Sequence, residues 1–253
     1  MRTNGFLIGT GLACLLVFMI VSLPASLVLD LVASERLRIM GVSGSVWRGE
    51  IRSIGLPGLT LRRTRWQLRP LGLLAGRLAS QIETELPGGY ARGDVSLSLN
   101  GVLACADFEA ASPVEPIARL IGIPAAGGTA TVKIDDLKLK DGWPRAAIGV
   151  VQLRDVPLIV PGVTDIAGAF GSFQVSFAAE TIPVDGPLVG ALEDLGGALE
   201  LQGEIALRPP ANYEVSGLVR ARPEAPRALV DGLVLIGPDA GQGRREFSLT
   251  GSL

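Results

Sequence analysis

Histidine is absent from the 253 residues, and with it the side chain that most often moves protons or binds a transition metal at neutral pH. The other reactive groups stand in patterns that catalysis does not use. Asp135 and Asp136 are adjacent in a stretch that reads as a strand, so their carboxylates point to opposite faces and cannot easily share a substrate. Glu193 and Asp194 fall in a stretch of helical spacing and read as its solvated side. The run Gly237-Pro-Asp-Ala-Gly-Gln-Gly-Arg244 lacks the Gly-Lys-Ser/Thr ending of a phosphate loop and reads as a hairpin loop. No serine stands in a Gly-x-Ser-x-Gly elbow, and the spacing of Lys133, Lys138 and Lys140 recommends no Ser–Lys arrangement. Two cysteines, Cys14 and Cys105, cannot build a four-thiolate zinc or iron–sulfur site. Cys14 lies in an apolar stretch and Cys105 in the polar body, so no internal disulfide is expected and each reads as an apolar filler. The expectation is a non-enzyme with no catalytic residues, no metal ligands and no cofactor. A net charge of −2 and a pI near 5.4 also argue against a nucleic-acid binder.

Two aromatic–basic segments carry more information. In Gly41-Val-Ser-Gly-Ser-Val-Trp-Arg-Gly-Glu50, glycines flank a bulky Trp47, as in a strand that bends or that another backbone approaches closely. In Leu61-Arg-Arg-Thr-Arg-Trp-Gln-Leu-Arg-Pro70, strand geometry puts Arg63, Arg65, Gln67 and Arg69 on one face and turns Trp66 and Leu68 toward the core. Arg62 is left at the start of the strand, where it frays. The structural reading is a Trp-anchored hairpin. The functional reading is that Arg62, Arg63 and Arg65, with Arg69 beside them, meet an acidic partner or lipid headgroups.

Several elements must position these segments. From Thr3 to Leu29 no residue is charged, and a mean hydropathy of +0.41 is high for a soluble chain. A membrane-spanning helix needs about 20 residues, whereas the apolar part of a cleaved signal peptide runs about 7–15 and ends at a small-x-small site. Apolar character here continues past Pro24 to Leu29 without a clean Ala-x-Ala, which favours an uncleaved signal anchor. Beyond residue 40 the dominant period is two. Val95, Leu97 and Leu99 alternate with Ser96, Ser98 and Asn100. Leu199, Leu201, Ile205 and Leu207 alternate with Glu200, Gln202, Glu204 and Arg208, and similar patterns surround Tyr213–Val219 and Phe247–Leu253. Such strands form antiparallel sheets with one wet face. Leu86-Pro-Gly-Gly89, Lys140-Asp-Gly142, Arg208-Pro-Pro210 and Gly237-Pro-Asp239 read as turns. Three short helices are expected. One is capped by Ser112-Pro-Val-Glu115 and runs to about Ile121, one starts near Pro187 with Leu188, Leu192 and Leu195 on a face, and one runs from Pro70 through Leu74. Each is followed by glycine and a strand, which suggests a loose helix–strand–strand repeat. The fold class is therefore mainly β: an N-terminal transmembrane helix, then a curved, largely antiparallel sheet with two or three short helices and no second exported domain.

An anchor, then Val-Ser-Gly-Ser-Val-Trp-Arg-Gly-Glu, then Arg-Trp-Gln-Leu-Arg-Pro-Leu-Gly-Leu-Leu-Ala-Gly-Arg-Leu resembles the type II secretion system protein N family (general secretion pathway protein N). The specific part covers roughly residues 41–80, and after residue 105 little is family-specific. The resemblance implies framework positions at Gly44, Trp47, Gly49, Trp66, Leu68, Arg69 and Pro70, and no catalytic residues. It implies a single-pass protein of the bacterial inner membrane with its main body in the periplasm, acting with other inner-membrane secretion subunits in the export of folded proteins across the outer membrane. The expected division is a cytoplasmic tail over 1–4, a transmembrane signal anchor over 5–29 and a periplasmic β-rich domain over 30–253. The alternative is a membrane-tethered lipid-handling module, in which a curved sheet leaves an open apolar groove for acyl chains. That architecture resembles the AsmA-type lipid transporters at the level of fold only. In that case the groove would be closed if helices covered it through Ile117, Leu120, Leu188 and Leu192.

Overall fold

The computed structural model describes residues 22–26, 38–56, 59–120, 127–157, 170–179 and 186–252. The alternating stretches become one 14-stranded antiparallel sheet that meanders in chain order until its last two strands. Its strands are β1 (Arg38–Gly44), β2 (Arg48–Leu56), β3 (Leu59–Arg69), β4 (Arg77–Leu86), β5 (Gly89–Ser98), β6 (Val102–Pro113), β7 (Thr129–Lys140) and β8 (Trp143–Pro157). Then follow β9 (Phe170–Ala179), β10 (Leu188–Gly197), β11 (Leu199–Arg208), β12 (Asn212–Ala221), β13 (Asp239–Gly241) and β14 (Arg244–Ser252), with β14 seated between β12 and β13. Short helices α1 (Leu71–Leu74), α2 (Val114–Leu120) and α3 (Arg227–Leu233) interrupt the meander.

Turn chemistry sets the register. Pro87-Gly88 joins Leu86 to Gly89, and Gly88 supplies the positive φ of +76° that such a turn requires. Asp141-Gly142 joins Lys140 to Trp143 with positive φ at both residues, the two-residue hairpin turn whose twist matches the strands. The expected turn at Arg208-Pro-Pro210 joins β11 to β12.

One face of the sheet is apolar, and a row of cross-strand neighbours crosses its middle. Trp66 stands opposite Gly49 and Ile82, Phe108 opposite Ile134, and Phe177 between Gly149 and Gly190. Aromatic rings lie over glycines along this face. A Cβ at Gly93 would sit 3.0 Å from the Phe108 ring, one at Gly190 2.6 Å from Phe177, and one at Gly251 2.5 Å from Tyr213. Glycine leaves the volume that the neighbouring ring fills, and such pairs help a sheet to coil.

Among the described residues, helices cover two patches of this face. Val114 and Ala118 of α2 pack on Ala130 of β7, with Leu153 and Val156 of β8 beside them. Leu229 and Leu233 of α3 pack on Leu199 of β11 and Val219 of β12. Helix α2 also approaches β3, so the sheet must curl toward its apolar face to bring β3 and β8 against one helix.

Several expectations need correction. The segment after Pro187 is strand β10, paired on both sides with β9 and β11. Leu188, Gly190 and Leu192 face inward and Val189, Ala191 and Glu193 outward, so period two prevails over the helical spacing of Leu188, Leu192 and Leu195. Glycines at 190, 196 and 197 weaken a helix, and flanking strands satisfy the backbone of a strand. With that helix gone, the third helix–strand–strand unit does not exist. Ser112 does not cap α2. It ends within β6, and its Oγ donates to the Pro113 carbonyl at 3.1 Å. Helix α3 was not expected. Residues 5–29 lie, apart from 22–26, outside the described residues, as does Cys14. Among the described residues no helix is long and apolar enough to cross a membrane.

Candidate interaction surface

Trp66 organises the first three strands. Its indole Nε1 donates to the Val46 carbonyl at 2.9 Å, and its six-membered ring occupies the space above Gly49, where any Cβ would collide with it. The amide of Leu68 donates to the Trp47 carbonyl at 2.7 Å. Gly44 carries the positive φ of +95° that starts the β1–β2 turn, and a Cβ there would lie only 2.5 Å from the Arg48 carbonyl oxygen. The Ser45 amide donates to the Arg48 carbonyl at 2.9 Å, and the Arg48 amide to Ser45 Oγ at 3.3 Å. Pro70 opens α1, with its carbonyl accepting from the Leu73 amide at 3.1 Å. The same turn receives the chain from its N-terminal side. The Val46 amide donates to the Leu23 carbonyl at 2.9 Å, Pro24 bridges to Ser45, and Ala25 is buried.

The arginines lie on the opposite, polar face. Strand β3 begins at Leu59, so Arg62 is inside it rather than at a fraying start. A bulge with φ +46° at Arg63 resets the alternation, and Arg62, Arg63, Arg65 and Arg69 are all exposed. Carboxylates already meet three of them. Arg63 pairs with Glu85 at 2.8 Å, Arg65 with Glu50 at 3.0 Å and Arg69 with Asp94 at 2.9 Å. Among the described residues Arg62 has no carboxylate within ion-pair distance.

These pairs belong to a larger pattern. Glu50, Arg65, Glu83, Arg92, Glu109 and Lys133 stand opposite one another in turn across β2 to β7, a ladder of alternating charge. The Arg92–Glu109 rung is the closest, at 2.5 Å. Its hydrogen bond and charge hold the Glu109 carboxyl below its ordinary value and push the Arg92 guanidinium above its own. The ladder turns what reads in sequence as a basic face into a nearly neutral surface. A shallow depression between Arg48, Gln67 and Gln81 lies across its first rungs.

Two of the carboxylates singled out in the sequence, Asp194 and Asp136, are engaged within the sheet. Asp194 is not on a wet helical face. It sits at the bulge of β10, 11% exposed, accepting from the amides of Gly196 and Leu201 at 3.1 Å each and from the Arg222 guanidinium. Asp136 pairs with Lys138 at 2.9 Å. Cys105 is a free, half-buried thiol opposite Val95 and Leu137, and burial pushes its pKa up. The ladder was missed because a cross-strand pair is invisible until register is known. The signal was nevertheless present: the Pro87-Gly88 turn alone places Glu83 opposite Arg92.

Comparison with known proteins matches residues 35–248 to the family model described as type II secretion system (T2SS), protein N. The protein from Aeromonas hydrophila named type II secretion system protein N is 24% identical over 237 residues, covering 90% of each chain. Its namesake from Vibrio cholerae is 24% identical over 250 residues, covering 94% of each. That from Klebsiella pneumoniae is 28% identical over 231 residues, 89% of this chain and 87% of the relative. No solved structure matches. The family match spans the sheet from β1 into β14, and on that ground the chain belongs to the type II secretion system protein N family.

Proposed function

We propose that this protein is a non-catalytic component of the type II secretion system, held in the inner membrane by its apolar N-terminal stretch with the sheet on the periplasmic side. The observation that carries the reading is the family match over 35–248, following a stretch from Thr3 to Leu29 without one charged residue. A scaffold role agrees with the surface, where carboxylates and guanidinium groups are engaged with one another across strands. Confinement to the membrane raises the effective concentration of the sheet near other anchored subunits. Recognition then uses the arginine-bearing strand β3, and β1, an edge of the sheet among the described residues, offers strand addition as a second contact.

Arg62 is the residue that tests this. Its charge is exposed and no ion pair among the described residues holds it, so Arg62→Glu changes the surface without breaking the ladder. Recovery of inner-membrane secretion subunits with the tagged full chain from detergent extracts should fall. Arg63→Glu and Arg65→Glu should lower it too, but these also abolish pairs with Glu85 and Glu50. Equal recovery with Arg62→Glu and the native chain would remove the arginine surface from the reading.

A second reading, lipid handling, is favoured by the apolar face that α2 and α3 leave uncovered, where Leu78 and Leu97 are exposed opposite each other. Phospholipid retained by the purified full chain in native mass spectra would support it, and its absence would count against it.

A further inference from the structure

We propose that α1 and the β5–β6 turn form an apolar tip that dips into the lipid leaflet beside the N-terminal stretch. This inference rests on the membrane-anchored reading given above. Three leucines make the tip. Leu99 is 92% exposed, Leu71 78% and Leu73 49%. Leucines exposed singly are ordinary, but contiguous ones mark a surface that something covers. The two segments that carry them touch just past α1: the Leu99 amide donates to the Gly76 carbonyl at 3.3 Å, and Leu99 Cδ1 lies 3.0 Å from where a Gly76 side chain would begin.

Folding does not demand Leu99. Asn100 and Gly101 build the turn, through Asn100 Oδ1 accepting from the Val102 amide at 3.3 Å, the Gly101 amide donating to the Ser98 carbonyl at 3.0 Å, and φ of +78° at Gly101. Any polar residue would serve at position 99.

The occupant follows from position. In an antiparallel meander, α1, the β1–β2 turn and the β5–β6 turn all lie at the same end of their strands. The β1–β2 turn is where the chain arrives from its uncharged stretch, through the bonds of Leu23 and Pro24 to residues 45 and 46. Neighbouring strands are about 4.8 Å apart, so α1 lies about 10 Å from that arrival point, within the width of a few lipid headgroups. Arg48 and Arg77, exposed at the same strand ends, have no carboxylate at ion-pair distance among the described residues and are placed to meet anionic headgroups. Exposed Val234 and Leu235 follow α3, at the opposite end of the strands. Being equally apolar, they serve as the internal control.

The test uses the full chain reconstituted in vesicles of phosphatidylethanolamine and phosphatidylglycerol. In a background carrying Cys14→Ser and Cys105→Ala, Leu99→Cys and Leu235→Cys are each labelled with an environment-sensitive fluorophore. Lipid-borne nitroxides should quench the probe at position 99 several-fold more than the probe at 235, with a blue shift at 99 alone. Equal quenching in chains that float with the vesicles would overturn the tip and leave the anchor standing. A chain that does not float with the vesicles would overturn both.

Discussion

Glu109 and Arg92 show what single side chains do on this sheet. Hydrogen bonding from Arg92, then its charge, lowers the Glu109 pKa below the ordinary 4.5. A carboxyl depressed on folding stabilises the native state above its unfolded value, and that contribution disappears as pH falls through the lowered one. Glu109→Gln should therefore lower the melting temperature of the full chain near neutrality and leave it unchanged in acid. A deficit that stays constant from about pH 7 to about pH 3 would refute this assignment. On the apolar face the governing force is steric. A Cβ at Gly190 would meet the Phe177 ring at 2.6, 2.9 and 3.0 Å and no other group comes nearer. Gly190→Ala should cost about 1–3 kcal/mol by overpacking, and much less in a Phe177→Ala background, as a double-mutant cycle on unfolding would measure. The inward direction of Trp66 and Leu68 was legible because alternation is a local property of a strand. Their partners Val46, Gly49 and Trp47 were not, because those contacts close across a turn whose geometry depends on Gly44.

Elements were legible in proportion to how far their own residues decide them. Strands β5, β11 and β12 follow from alternation, and α1 from Pro70 and Gly76. Segment 188–197 satisfied both periods, and nothing local could choose; the choice came from β9 and β11, which offer it hydrogen bonds on both sides. Helix α3 is the converse case. Leu229 and Leu233 stand one turn apart behind Pro226, a readable signal, but a seven-residue helix is marginal alone and Gly232 lies inside it. It exists because Leu229, wholly buried, docks on Leu199 and Val219. Leu229→Ala should accordingly cost about 2–5 kcal/mol and speed amide exchange through 227–233 and the facing β11 and β12. Faster exchange confined to the helix would show that α3 is an ornament on a sheet that stands without it.

Over the whole molecule, a single curled layer has consequences that a two-layer fold does not. Each strand touches chiefly its sequence neighbours, so stability is a chain of nearest-neighbour couplings, as in solenoids, rather than one shared core. The curvature joining β3 to α2 could not be read from any segment, since it arises from twist and bulges accumulated over many strands. Cover is uneven along this layer. Strands β7 and β8 lie under α2, β11 and β12 under α3, while in β4 and β5 Leu78 and Leu97 stay exposed at 44% and 46%. Local opening free energy follows buried apolar contact, so native-state hydrogen exchange should be slowest in β7–β8 and β11–β12 and faster in β4–β5, although β4–β5 has an unbroken register. Uniform protection from β2 to β12 would mean that the sheet opens as one cooperative body. In a membrane-bound chain whose α1 and β5–β6 turn dip into lipid, the same experiment in vesicles should slow β4–β5 selectively, because the bilayer then supports strands that neither α2 nor α3 covers.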